Sequence, residues 1–226
     1  MLIDVSEKWK SAYPGAAVGV LAMGGVANPK THPGLEQRKR TLERELRARY
    51  SGFDREAIKR IPVMAAYNNY YRLFKKTYHL QLQLESLVLQ DRSIPSVAAL
   101  VEVMFMAELK NLLLTAGHDL EVVESPLHID IADGEMRYRR MNGKQAAPKA
   151  GDMVIMDAEG IISSIIYGPD QRTRIRPETK QVLFTVYAPD GIGDQSVHAH
   201  LEDIRENVSL VSPGAEVVGL EVHLAV

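Results

Sequence analysis

Cysteine is absent from the 226-residue chain. That excludes disulfide bridges, thiolate zinc sites and cysteine nucleophiles together, and it suits a reducing cytosol. Long apolar runs are missing too: no stretch approaches the ~20 residues that a membrane helix requires. Residues 1–10 carry Asp4, Glu7, Lys8 and Lys10 and lack the apolar stretch of a signal peptide, so the expected location is the cytoplasm, with no membrane partner. Neither sign of charge is in excess, since 27 basic and 29 acidic side chains give a net charge of −2. General coating of nucleic acid needs a basic surplus, because its affinity comes from neutralised phosphates. No DNA partner is therefore expected, and an RNA partner requires a local basic patch.

The usual chemical motifs are also lacking. There is no glycine-rich phosphate loop, no G-x-S-x-G elbow and no H-E-x-x-H pair. Gly191-Ile-Gly193 follows an apolar run, but Asp194 and Gln195 break the dinucleotide pattern. His198-Ala-His200 with Glu202 is the best metal-like spacing. It falls at an expected helix start, where the two side chains diverge, so it reads as a solvated helix end, and no metal or cofactor is expected. His118-Asp119 reads as the C-terminus of a helix, where the dipole favours a protonated histidine. Ser163 and Ser164 are adjacent in an apolar strand, so at most one of them faces a pocket.

What is present is a chain 46% hydrophobic and 25% charged, enough to build one sizeable core. A strand is expected over 13–26, a loop at 30–34 and a helix over 35–50. Glu36→Arg40, Glu43→Arg47 and Glu45→Arg49 should pair along the solvent side of that helix. Asp54 reads as an N-cap, with helices to Ile61 and over 63–76. A long apolar helix is expected over 96–114, stopped by Gly117. Strands follow at 127–131, at 153–156 and 161–167 around a four-residue loop, and at 182–187. A helix over 198–210 and a strand over 216–224 close the chain. Helices grouped in the middle and strands grouped after them make an α+β fold.

Polar chemistry concentrates between Tyr167 and Thr179. There Arg172, Arg174 and Arg176 alternate, so an extended backbone would align three guanidinium groups on one face, a stripe suited to a phosphate chain or to pairing with acidic neighbours. Arg137, Arg139 and Arg140 surround Tyr138 as a second basic cluster.

Several phrases, taken in order, resemble one family. They are Glu85-Ser86-Leu87, Ile94-Pro95, Leu100-Val101-Glu102, Leu109, Gly117, Asp119-Leu120, Gly151-Asp152, Asp157, Tyr167, Asp170-Gln171-Arg172-Thr173 and Thr179-Lys180. The pattern is similar to the B-three/B-four domain, the editing module of the bacterial phenylalanyl-tRNA synthetase β subunit, which also occurs as free-standing proteins. The resemblance covers about 61–210, with the strand and helix of about 13–50 completing a single domain over 1–226. It implies a β-sandwich-like core of mixed strands flanked by helices. It also implies a tRNA or aminoacyl-tRNA partner, or a free amino acid, and hydrolysis of a mischarged aminoacyl ester or binding alone. An ester of this kind is already activated, so a held substrate and a placed water suffice; no residue is singled out as catalytic. Without an ATP-binding signature, the chain is not expected to be a whole ligase. Carried over residue by residue, Glu85, Tyr167, Asp170, Arg172, Thr173 and Thr179 become candidates for the substrate pocket. Arg172, Arg174, Arg176, Arg137, Arg139 and Arg140 become candidates for RNA contact. Two departures bear on the substrate: Phe105 stands where relatives tend to have Asn, and Tyr167-Gly168-Pro169 replaces a phrase with Trp and Arg.

Overall fold

The computed structural model describes residues 3–226. The elements run β1 (Ile3–Val5), α1 (Glu7–Ala12), β2 (Ala17–Gly24), α2 (Pro33–Arg49), α3 (Arg55–Lys59), α4 (Pro62–Leu73), α5 (His79–Leu89), α6 (Ala99–Asn111) and β3 (Leu114–Asp119). A short 3-10 turn at Leu120–Val122 leads to β4 (Leu127–Ile131), β5 (Tyr138–Arg139), β6 (Gln145–Ala146), β7 (Met153–Asp157), β8 (Gly160–Ser164) and β9 (Gly168–Pro169). β10 (Gln181–Ala188), α7 (Asp194–Val211) and β11 (Glu216–Leu224) complete it. The fold is α+β, with multi-stranded sheets flanked by helices.

One sheet has the order β11-β2-β10-β3, every neighbour antiparallel. A second has the order β1-β4-β7-β8-β9, with β1 parallel to β4 and the rest antiparallel, and β5 pairs with β6 as a separate two-stranded ribbon. β2 and β10 are buried almost throughout, as central strands covered on both faces must be. α7 lies across the first sheet, and Gly19 allows its approach: a Cβ there would collide with Val197 and meet Leu201. α6 packs between α7, α2 and the edge strand β3.

The two sheets are tied through tyrosines. Along α4, Tyr67, Tyr70 and Tyr71 are buried, and each hydroxyl finds a backbone or carboxylate partner, as a buried phenol requires. Tyr67 donates to the Tyr187 carbonyl in β10 and accepts from Leu114 N in β3 at 2.9 Å. Tyr71 donates to the Ile165 carbonyl at 2.7 Å, just beyond β8. Tyr70 donates to Asp152 Oδ1 at 2.9 Å and accepts from Met153 N at 2.7 Å. Tyr78 stacks on Tyr67 with ring centroids 4.2 Å apart. Where the sheets meet directly, Ser163 Oγ and the Tyr187 hydroxyl are 2.6 Å apart.

Several sequence expectations need correction. The strand expected from Tyr13 begins at Ala17, because Ser6 caps a short helix by accepting from Trp9 N and Tyr13 is that helix's C-cap. The apolar helix expected to Leu114 ends at Asn111, where Leu112 takes a left-handed conformation with φ 60°. Gly117, expected as the helix stop, and His118-Asp119 therefore lie in β3, and no helix dipole acts on His118. Burial pushes its imidazole down to about 3, so it is neutral. The 157–160 loop is a two-residue turn, since β7 includes Asp157 and β8 starts at Gly160. The second strand of that hairpin stops at Ser164, short of Tyr167. α7 starts at Asp194, so His198 and His200 lie inside it, and α5 is a helix for which the sequence reading has no element.

α2 is less solvated than its charge pattern suggests. Lys39 is buried and bridges Glu36 at 2.7 Å and Glu102 of α6 at 2.9 Å. Of the three expected pairs, Glu43 reaches Arg47 at 3.8 Å, but it also accepts from Ile94 N at 2.7 Å. The charges of this helix hold α6 and the 93–96 loop in place.

Removing one tyrosine hydroxyl tests the tie between the sheets. Tyr70→Phe leaves Met153 N and a buried Asp152 oxygen without their partner and should destabilise the fold by about 1–3 kcal/mol, read from the urea unfolding midpoint.

Candidate functional site

A mainly apolar cavity of about 260 Å³ opens between α5, α6 and β3, with the strip after β8 closing its far side. Its walls are Val101, Met104, Phe105, Leu114, Ile165 and Ile175, with the Tyr187 ring among them. Val101, Met104, Phe105 and Ile175 remain half-exposed because they face this space. Gly117 supports the opening: a Cβ there would stand 2.7 Å from Ile175 Cδ1 and 3.5 Å from Met104 Sδ.

One acid stands in this apolar wall. Glu108 of α6 is buried, 3% exposed, and its Oε1 accepts from Thr115 N at 2.8 Å. Oε2 has no protein hydrogen bond among the described residues. Burial raises the carboxyl to about 8, so at neutral pH it is mostly protonated and can donate as well as accept. Thr115 is itself held by His200: its Oγ1 is 2.7 Å from Nε2, while Asn111 Nδ2 lies 3.3 Å from Nδ1. Because Asn111 can only donate through that nitrogen, the network assigns the proton to Nε2. Burial pushes this imidazole down to about 3, so the ring is neutral.

The two adjacent serines are both engaged. Ser163 bonds to Tyr187, and Ser164, which lines the cavity, donates to Asp152 Oδ2 at 2.8 Å and accepts from Tyr167 N at 2.9 Å. Neither has a histidine among its hydrogen-bond partners. The cavity is mainly apolar, with Glu108, Ser164, His79 and Gln83 as polar groups on its wall, and any hydrolysis in it would rely on a positioned water.

The segment 167–179 reaches this cavity through its backbone turns and small or apolar residues. Gly168, Pro169 and Ile175 line it, whereas Tyr167, Asp170, Arg172, Thr173 and Thr179 do not. Tyr167 packs with Tyr138, Val154 and Ile161 in a satellite core. Asp170 accepts from the backbone N–H and the hydroxyl of Thr173, and Thr173 Oγ1 sits 2.7 Å from His118 Nδ1. Arg172 bonds Asp157 Oδ2 at 2.7 Å and the Val122 carbonyl at 2.8 Å. Thr179 donates to Asp119 Oδ2 at 2.9 Å, and Arg176 meets the same oxygen at 3.0 Å. Glu85 faces away from the cavity: it is buried, accepts from Gln81 Nε2 at 2.7 Å and pairs with Arg55 at 3.0 Å. Its helix neighbours His79 and Gln83 reach the cavity instead.

The arginines divide. The backbone over 172–176 turns instead of extending, so there is no three-arginine stripe. Arg137, Arg139, Arg172 and Arg174 line a shallow cleft of about 450 Å³ together with Gln171 and Glu159. Arg139 and Arg174 are exposed, and Arg139 carries no side-chain hydrogen bond or ion pair among the described residues. Arg137 and Arg174 bond only nearby backbone carbonyls. Arg140 instead donates to the Tyr167 carbonyl at 3.0 Å, and Arg176 is tied to Asp119. Successive parts of one strip line the two spaces: Gly168, Pro169 and Ile175 the apolar cavity, and Asp170, Gln171, Arg172 and Arg174 the cleft.

The sequence reading misses Glu108, Thr115 and Gly117 as site residues. A partial signal for Glu108 was available: α6 is apolar except for Glu102, Glu108, Lys110 and Asn111. Among the described residues no group of three or more His, Asp or Glu side chains could hold a metal ion.

No protein-family model and no curated protein matches the chain. Among solved structures, it is similar to an N-terminal fragment of the phenylalanyl-tRNA synthetase β-subunit from Pyrococcus horikoshii, with a TM-score of 0.50 and 11% identity. The likeness covers 96% of this chain and 50% of that one, so the chain spans about half the length of the fragment. At that identity the relation is one of fold.

Glu108 gives a pH test. A carboxyl whose folded value lies above its unfolded value binds its proton more tightly when folded. The stability it contributes is full below about 4.5 and is lost as pH rises through about 8. Glu108→Gln should therefore gain stability relative to the wild type between pH 5 and 8, by at most about 1.4 kcal/mol per pH unit. Urea unfolding across that range would show it.

Proposed function

We propose that this chain is a single editing-like domain that binds aminoacyl-tRNA. The side chain of the amino acid would enter the apolar cavity while the RNA backbone crosses the arginine cleft. One observation carries the reading: an apolar cavity with a lone acid and a cleft with four arginines are lined by neighbouring residues of one segment, Gly168 to Ile175. A ligand that joins an apolar group to a polyanion can use both. The shared fold with a synthetase β-subunit fragment supports the same reading, as do the ordered sequence phrases that resemble the B-three/B-four domain. Free amino acid would fill the cavity without the cleft and bind more weakly.

In this reading Arg139 and Arg174, with Arg137 and Arg172 beside them, meet phosphates. Asp170, Thr173 and Thr179 hold the strip, as does Arg172 through Asp157, and Glu85 holds α5. Deacylation would consist of water attack on the ester carbonyl, with the tRNA hydroxyl as leaving group. Glu108 is the polar group of the cavity best placed to bind a hydroxyl or ammonium of the amino acid. A binding role without turnover is favoured by one observation, that both serines at the cavity are committed to structural hydrogen bonds.

The test measures binding and deacylation of a panel of aminoacyl-tRNAs, including tyrosyl- and phenylalanyl-tRNA. Arg139→Ala with Arg174→Ala, both at exposed positions, should weaken tRNA binding about ten-fold and reduce the salt slope by roughly 2. Turnover above the spontaneous rate would establish editing, and binding alone the second role. Failure to bind any aminoacyl-tRNA would overturn the proposal.

A further inference from the structure

A second, mainly apolar cavity, of about 140 Å³, adjoins the first along the seam between α5 and α6, lined by Leu87, Ile94, Pro95 and Leu109 together with Ser86, Arg92 and Ser93. Only two residues, Gln83 and Phe105, line both this cavity and the larger one. Gln83 is an exposed residue of α5, whereas Phe105 is half-buried on α6 and packs against the core from its edge. The wall between the two spaces thus consists chiefly of one phenyl ring. Neighbouring α6 residues cannot replace it: Met104 faces only the larger cavity, and Leu109 only the smaller.

The geometry points to Phe105 as the residue that sets the size of apolar group this protein accepts. An apolar cavity on the order of 150 Å³ holds a benzene-sized guest, so the smaller chamber suits a single ring and the larger, at about 260 Å³, a fused pair, and the partition keeps a longer guest from spanning both. With the ring removed, the chambers join into one slot that runs from Gly117 and Ile175 to Ile94 and Pro95 and admits a linear tricyclic group. The smaller chamber thereby becomes a subsite for the distal ring. The inference rests on the larger cavity as the ligand site. It does not depend on that ligand being attached to RNA, so failure to bind aminoacyl-tRNA would leave it standing.

Quinoline and acridine, two and three fused rings, are suitable probes, titrated against the full chain at pH 7.5 while the methyl resonance of Met104, a wall residue, is followed by NMR. The wild type should bind quinoline at least ten-fold more tightly than acridine. Phe105→Ala should reverse that preference and carry the acridine contacts to Ile94. If Phe105→Ala does not fold, Phe105→Leu should still narrow the preference at least three-fold. The inference is overturned if the wild type binds both probes equally or neither one shifts Met104. An unchanged preference in the variant that folds would overturn it as well.

Discussion

The hydroxyls of the α4 tyrosines are the constraint on which the rest of this molecule depends. A phenol can enter a core only if its oxygen is bonded there. α4 meets that requirement by addressing Tyr67 to one sheet and Tyr70 and Tyr71 to the other. The same bonds fix the spacing between β3 and the end of β8. That spacing is the width of the apolar cavity, whose walls come from α6 and β3 on one side and the strip after β8 on the other. A helix of leucines could fill the same volume but could not set a register between two sheets.

A second layer of polar bonding holds the strip itself. Asp157, Asp170 and Asp119 are buried, and each is matched by an arginine or threonine of the 170–179 segment. Buried ion pairs of this kind add little net stability, but breaking one partner is costly. Their effect here is positional: they let an irregular segment present Gly168, Pro169 and Ile175 to the cavity while leaving Arg174 exposed in the cleft.

Much of the fold was legible in the sequence, because strands such as 127–131 and 216–224 and the α2 helix follow from period and turn residues. Boundaries failed where a tertiary contact decides them. Nothing local announces that Leu112 adopts a left-handed conformation or that Gly117 is a glycine because Ile175 needs its space. The site was half legible. The dense polarity of 167–179 marked a segment that reaches the cavity through Gly168, Pro169 and Ile175, but its polar side chains lie outside that lining. Glu108 escaped notice because an acid in a helix is ordinarily solvated, and only packing shows that Lys39 serves Glu102 instead. The arginines could be listed but not sorted, since sorting depends on which ones buried aspartates capture.

The placement of β2 has a consequence for how such a chain comes to be folded. It is among the first strands made, yet its two hydrogen-bonded neighbours are β10 and β11, whose residues face it across more than half the chain: Ala17 opposes Ala188 on one side and Leu224 on the other. Closing loops of that length delays pairing. During synthesis an apolar eight-residue strand therefore waits with both edges open while everything between is produced. The helices α3, α4 and α5, neighbours in sequence with α3 packed on both of the others, can condense first. The large sheet is thus the last part of the molecule to close, and the early strand is the segment a chaperone would most need to shield.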